Sequence, residues 1–210
     1  MNLIKLTKFI VGTIFLLLGT LPAYALTVSL APTPQVVNVG QTLQFDLVIS
    51  GLGSGVTPSL GTYDVDISFD PGIFGFTSAV FGDPILGNQL DLFGLGSLNA
   101  VTTGIGTVNL FELSFDDPVD LILLQSENFT LATLSFAALS LGSSSLGIHI
   151  NALGDEFGDP LTAQIVGASA TVNQDNNNPI PEPNGLALVL AGLMVLVTVR
   201  ASRTKVGCPV

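Results

Sequence analysis

The chain has 210 residues, 48% of them apolar, and sets 5 Lys+Arg against 16 Asp+Glu for a formal net charge of -11. That length holds one domain of ordinary size with a real core, and not several large ones. All five cations lie at the ends, Lys5 and Lys8 at one and Arg200, Arg203 and Lys205 at the other, so the chain between them carries every carboxylate and no Lys or Arg. This excludes nucleic-acid binding, which needs cations to displace counterions from phosphate, and with it internal Lys or Arg salt bridges and any cationic clamp on a phosphorylated substrate.

At the start, Lys5 and Lys8 precede an apolar run over 9–18, followed by Gly19, Pro22 and the triplet Ala23-Tyr24-Ala25. A basic end, a short apolar stretch and a small-x-small site in that order describe a secretory signal peptide spanning 1–25, cleaved after Ala25. The apolar run is short for a membrane span. Export agrees with the cysteine count. Cys208 is the only Cys, so no intramolecular disulfide can form and the fold must stand on packing.

Residues 26–172 carry the signals of strands. From Leu43 to Ile49 the odd positions are all apolar, and Tyr63, Val65, Ile67 and Phe69 alternate with Asp64, Asp66 and Ser68. A period of two places one face on a core and the other in water. Further strands are expected over 26–30, 74–81, 107–115, 130–139, 147–151 and 164–172, with a short helix or a strand near 120–125. Turn signals separate them at Val39-Gly40, 51–55, Asp70-Pro71-Gly72, Gly82-Asp83-Pro84, Asp116-Asp117-Pro118, 142–145 and Gly158-Asp159-Pro160. Eight to ten short strands with such turns indicate an all-β sandwich or jelly roll.

Beyond the domain, 173–183 is an Asn-rich and then Pro-rich linker. An apolar run over 186–199 follows, with Arg200, Arg203 and Lys205 directly after it. Fourteen residues span only about 21 Å as a helix, so a membrane crossing needs extension through Gly185 and a snorkelling Arg200. The basic cluster would then sit on the cytoplasmic side.

Pro181-Glu182-Pro183, a short apolar helix and a basic end containing Arg200 and Arg203 resemble the PEP-CTERM sorting signal of bacterial exported proteins. The resemblance implies a sorting helix over 184–210, recognition by a membrane-embedded exosortase, cleavage near the motif, and delivery to the cell surface or the extracellular matrix. A second resemblance lies in the domain. Val39-Gly40-Gln41-Thr42-Leu43 before one strand, and a strand ending Phe69-Asp70-Pro71 that runs into a second apolar strand at Phe74-Gly75-Phe76, are similar to a cohesin-like domain over 26–172. What this implies is a jelly-roll sandwich of about nine strands; no dockerin partner follows from it, and fold alone leaves function open.

The residues themselves offer little chemistry. The domain has one His, His149, no Cys and no Lys, which leaves neither an activated nucleophile nor a zinc ligand set. His149 alternates with Ile148 and Ile150 and is expected on the polar face of its strand. Paired acids could suit a glycosidase, but nothing singles out one pair. No enzyme activity and no cofactor are expected. Calcium is the one cation to consider, because it takes oxygen ligands. Its candidate residues are Asp116, Asp117 and Asp120 around a Pro turn, and Asp155, Glu156 and Asp159 with Asn151 in a Gly-rich loop; neither has EF-hand spacing. Asp64 and Asp66 share a strand face, where like charges repel unless the face is well hydrated or meets a cation.

A non-catalytic surface or matrix protein with an adhesive or structural role, in a biofilm for example, is therefore expected. Its partner would be extracellular polysaccharide or another surface protein. A carbohydrate-binding module is the alternative and a polysaccharide hydrolase the third reading. Sugar platforms use exposed Trp or Tyr; the chain has no Trp, and Tyr63, the only Tyr after residue 25, falls on an apolar face.

Overall fold

The computed structural model describes residues 25–174 and residue 193. The expected signal peptide up to residue 24, the linker from residue 175 and, Leu193 apart, the sorting helix lie outside the described residues. The chain divides into two units, Met1–Gln174 and Asp175–Val210, and the architecture below belongs to the first. No helix among the described residues is long and apolar enough to cross a membrane.

Among the described residues of this unit, eleven strands and one short helix follow in the order β1(Thr27–Ala31), β2(Gln35–Asn38), β3(Thr42–Ser50), β4(Leu60–Ser68), β5(Phe74–Phe81), β6(Leu98–Gly104), β7(Thr107–Leu113), α1(Pro118–Leu124), β8(Asn128–Ala138), β9(Gly142–Asp155), β10(Gln164–Val166) and β11(Ala168–Asn173). They form a five-stranded sheet in the order β10-β1-β3-β8-β5 and a six-stranded sheet in the order β2-β11-β9-β4-β7-β6. The all-β sandwich is as expected, and the strand number is eleven where about nine were expected. β2 and β6 carry no alternation in sequence. The chain from 164 to 172, expected as one strand, breaks at Gly167 because β10 pairs in parallel with β1 and β11 antiparallel with β9. The expected turn at 142–145 is strand: β9 starts at Gly142, since Ser143 and Ser145 find backbone partners in Thr171 and Ser169.

Pairing is antiparallel throughout the interior of both sheets. The parallel pairs lie at the edges, where β1 meets β10 and β2 meets β11. Between β1 and β2 the chain crosses from one sheet to the other through Pro32-Thr33-Pro34; neither Pro can donate to a ladder, so the β1 ladder ends there. α1 is opened by Asp117, whose side chain accepts from Val119 N at 2.9 Å, with Pro118 in the first turn.

A single core draws on both sheets. Leu43, Phe45, Leu47 and Ile49 of β3 and Leu134 and Phe136 of β8 meet Tyr63, Val65 and Ile67 of β4 and Val108 and Leu110 of β7. At its end near β5, Phe136 is the hub of an aromatic cluster. Its ring centroid lies 6.2, 5.1, 6.5 and 5.6 Å from those of Phe45, Phe69, Phe74 and Phe76, all edge to face. With no Cys, Lys or Arg between residues 26 and 172, this packing is the main source of stability.

Four bulges shape the ladders, one of them at Thr77, between Phe76 and Ser78 of β5. Leu131 of β8 is an extra residue against Leu47 and Val48; its carbonyl accepts from Gly82 N at 2.8 Å and from Tyr63 Oη at 3.4 Å. Gly61 is extra in β4, and a Cβ there would lie 2.3 Å from the Asp155 carbonyl oxygen, so only glycine fits. Asn151 is extra in β9.

Phe136→Ala is expected to lower the unfolding free energy by about 3–5 kcal/mol, as for other fully buried aromatic truncations. Urea denaturation followed by circular dichroism measures this, and a loss below about 1 kcal/mol would mean that the ring cluster is not a centre of packing.

Candidate functional site

The broad outer face of the six-stranded sheet is where the polar alternation of β4 leads. With Tyr63, Val65 and Ile67 buried, Thr62, Asp64, Asp66 and Ser68 must face outward. Register places Asn109 and His149 on either side of Asp66 and Phe111 beside Asp64. Asn109 Nδ2 donates to Asp64 Oδ1 at 2.5 Å and to Asp66 Oδ1 at 2.8 Å. The bulge at Asn151 turns that side chain onto the same face, where its Nδ2 donates to Asp64 Oδ1 at 3.1 Å. Two carboxylates that would repel are thus tied by one amide and supported by a second. His149 is exposed on this face, as its parity requires.

The other half of the face is apolar. Phe111 and Leu113 on β7 lie beside Ala100 and Leu98 on β6, and Leu98 is 52% exposed. The surface therefore changes from a bridged acidic cluster to aliphatic and aromatic side chains across adjacent strands. On the β9 side a cleft of about 610 Å³ lies between His149–Gly154 and Pro160–Ile165, lined by Thr62, His149, Asn151, Leu161 and Ile165 among others.

Two carboxylates are buried beneath the surface with no cation anywhere in the domain. Glu112 is 0% exposed. Its Oε2 accepts from Tyr63 Oη at 3.2 Å, and its Oε1 accepts from Asn88 Nδ2 at 2.6 Å and from Ser97 Oγ. Burial first, and then the adjacent Glu112 carboxylate, push the Tyr63 hydroxyl far above its ordinary value, because a phenolate there would be desolvated and face a like charge. Glu156 Oε2 accepts from Ser59 N at 2.9 Å and Ser59 Oγ at 3.0 Å. Near the surface, Asp83 binds one loop to β8: Ile85 N and Leu86 N donate to Oδ1 at 2.8 and 2.9 Å, and Thr130 N donates to Oδ2 at 2.9 Å. Partial burial raises this carboxyl, but the three backbone donors outweigh it and hold it below the ordinary carboxylate range.

Of the acids named as calcium candidates, Asp116, Asp117, Asp155 and Glu156 accept hydrogen bonds from backbone amides. Asp116 Oδ2 accepts from Leu92 N at 2.7 Å, Asp117 caps α1, and Asp120 sits in the first turn of that helix. Asp155 Oδ1 accepts from Phe157 N and Asp159 N, both at 2.9 Å, Glu156 turns inward to Ser59, and Asp159 stays exposed in the same turn. Among the described residues no group of three or more His, Cys, Asp or Glu side chains converges as a metal site would require. Of the sorting and cleavage residues, Ala25 is exposed just before β1, while Ala23, Pro181, Glu182, Pro183, Arg200 and Arg203 lie outside the described residues. The Asp64–Asn109–Asp66 bridge and the Glu112 network escaped the sequence, because each joins residues more than forty positions apart.

No family model matches the sequence, and no curated protein matches it. Solved structures do match the fold. A non-cellulosomal cohesin from Archaeoglobus fulgidus superposes with a TM-score of 0.53 at 13% identity, over 72% of this chain and 94% of that one. A cohesin from Clostridium acetobutylicum gives 0.51 at 21%, over 70% and 91%. A chain from a type I cohesin–dockerin complex of Clostridium thermocellum gives 0.56 at 12%, over 74% and 98%. The sandwich has the cohesin fold.

Tyr24 and Tyr63 are the two tyrosines of the sequence, so in a Tyr24→Phe chain the ionisation of Tyr63 can be read alone. Its folded value lies above its unfolded value of about 10, so its contribution to stability is fully present below that pH and is lost as pH rises above it. Phenolate absorbance is expected only together with cooperative loss of the β-sheet signal in an alkaline titration. A phenolate titrating near pH 10 in a folded domain would overturn the assignment.

Proposed function

We propose that the chain is an exported, non-catalytic surface or matrix protein whose sandwich binds another protein through the outer face of its six-stranded sheet. Residues 1–25 serve as the signal peptide and 26–172 as the binding module. Residues 173–183 carry the linker and the Pro181-Glu182-Pro183 motif, and 184–210 form the sorting helix that an exosortase-type system engages in the membrane. The observation that carries the binding reading is the outer face itself, half amide-bridged carboxylate and half exposed Leu and Ala beside the half-buried Phe111. A protein partner can cover such a surface with an apolar centre and a polar rim. Solved chains of the same fold occur in cohesin–dockerin complexes, which supports protein recognition as the use of this architecture. A sugar platform has less support: Tyr63 is 0% exposed and Trp is absent.

Two experiments test the two parts separately. Mass spectrometry of the native surface protein is expected to give a chain running from Leu26 to near Pro183, and a full-length mass would break the sorting reading. For the binding face, a partner captured from the same cell surface is expected to lose at least tenfold in affinity to Leu113→Asp and to Asp66→Lys. Gln44→Ala, on the exposed side of β3 in the other sheet, should leave it unchanged. Equal losses at all three positions would remove the six-stranded sheet from the interface. Binding to purified matrix polysaccharide without protein would move the reading to a carbohydrate-binding module, and turnover of that polysaccharide to a hydrolase.

A further inference from the structure

A sheet edge presents unpaired backbone donors and acceptors, and folded proteins normally block it with short length, proline, charge or a bulge. Three of the four edges here are blocked. β10 has three residues. β2 has four and follows Pro32 and Pro34. β5 is bulged between Phe76 and Ser78. The fourth edge, β6, is seven residues long, exposed at every position, free of proline and charge, and in unbroken register with β7.

The hairpin geometry fixes which groups are free. β6 and β7 are joined by Ile105-Gly106, with Gly106 at φ +70°, and Gly104 pairs with Thr107 across this two-residue turn. The flanking pair of such a turn is hydrogen-bonded, and bonded pairs alternate along an antiparallel ladder. Leu98, Ala100, Thr102 and Gly104 therefore direct their backbone groups to β7. Asn99, Val101 and Thr103 direct theirs outward.

We propose that β6 pairs antiparallel with β6 of a second copy of this chain, about a two-fold axis at Val101, joining the two six-stranded sheets into one. In that register Val101 faces Val101, Asn99 faces Thr103 and Ala100 faces Thr102. The outward groups of Asn99, Val101 and Thr103 are all satisfied, and a β-branched apolar pair sits at the centre. The strand is its own complement, so the contact is isologous and closes at two copies. Charge selects this edge for a homotypic contact. The domain is anionic throughout and two copies repel, but no carboxylate occurs from Leu92 to Phe111. Glu112 on β7 is buried and hydrogen-bonded on the inner side. The outer-face carboxylates Asp64 and Asp66 lie two strands in from β6, which places them about 24 Å from their copies at a strand spacing of about 4.8 Å. This is well beyond the screening length of about 8 Å at physiological salt.

The test uses the full chain carrying Cys208→Ser, so that no native thiol competes. Val101→Cys is expected to form a disulfide-linked dimer under mild oxidation, because residues facing each other across an antiparallel pair lie within disulfide reach. Asn99→Cys should crosslink at least tenfold less, since in this register the two copies of residue 99 lie about 14 Å apart. In sedimentation equilibrium, Val101→Pro is expected to raise the dimer dissociation constant at least tenfold. Thermal melting should be unchanged, because this N–H points away from β7. Equal crosslinking at 99 and 101, no crosslinking at either, or a wild-type chain that stays monomeric at all concentrations would each overturn the proposal.

Discussion

The constraint on which the domain depends is the absence of any internal cation. A buried carboxylate is normally balanced by Lys or Arg, and one left alone costs several kcal/mol. Here each must be met by neutral donors. Glu112 collects a phenol, an amide and a hydroxyl, and Glu156 collects the amide and hydroxyl of Ser59. Gln125, at the end of α1, ties β4 to the loop between β5 and β6 with a neutral side chain: its Oε1 accepts from Leu60 N at 2.6 Å, and its Nε2 donates to the carbonyls of Leu60 and Gln89, each at 2.9 Å. Among the described residues no buried side-chain nitrogen or oxygen lacks a hydrogen-bond partner. Carboxylates in such a domain act as organisers of backbone amides.

That use of acids also shapes the surface. The carboxylates in turns hold loops: Asp83 ties its loop to β8, Asp117 starts α1, and Asp155 closes the turn after β9. Those on β4 are paired through Asn109, which lets two like charges lie two residues apart on one face without a cation. The bulge at Asn151 contributes to the same cluster, so an irregularity in the ladder and the chemistry of the face have one origin. The face remains anionic on one side and apolar on the other, a division that follows from the strand order β9-β4-β7-β6.

Strands with one buried face were legible in the sequence. β3 and β4 alternate because their inner side chains fill the core, and β5 was expected over the residues it occupies. β6 was not legible, because it is exposed on both faces and nothing imposes a period of two on Leu98–Gly104. The first turn of β9, rich in Ser and opened by Gly142, has turn composition, yet it is strand because β11 offers it a ladder from far along the chain. Composition describes a local preference, and pairing with a distant strand overrides it.

The sequence by itself determined the class of the protein: an all-β domain without Cys, Lys or Arg, between two apolar segments with basic flanks. These are properties of composition and short-range period, which need no partner to be read. Only the tertiary structure decided what the carboxylates do. Whether an acid is buried against a phenol, caps a helix or bridges across a sheet depends on which strands become neighbours, and that register is set by packing both sheets around one core.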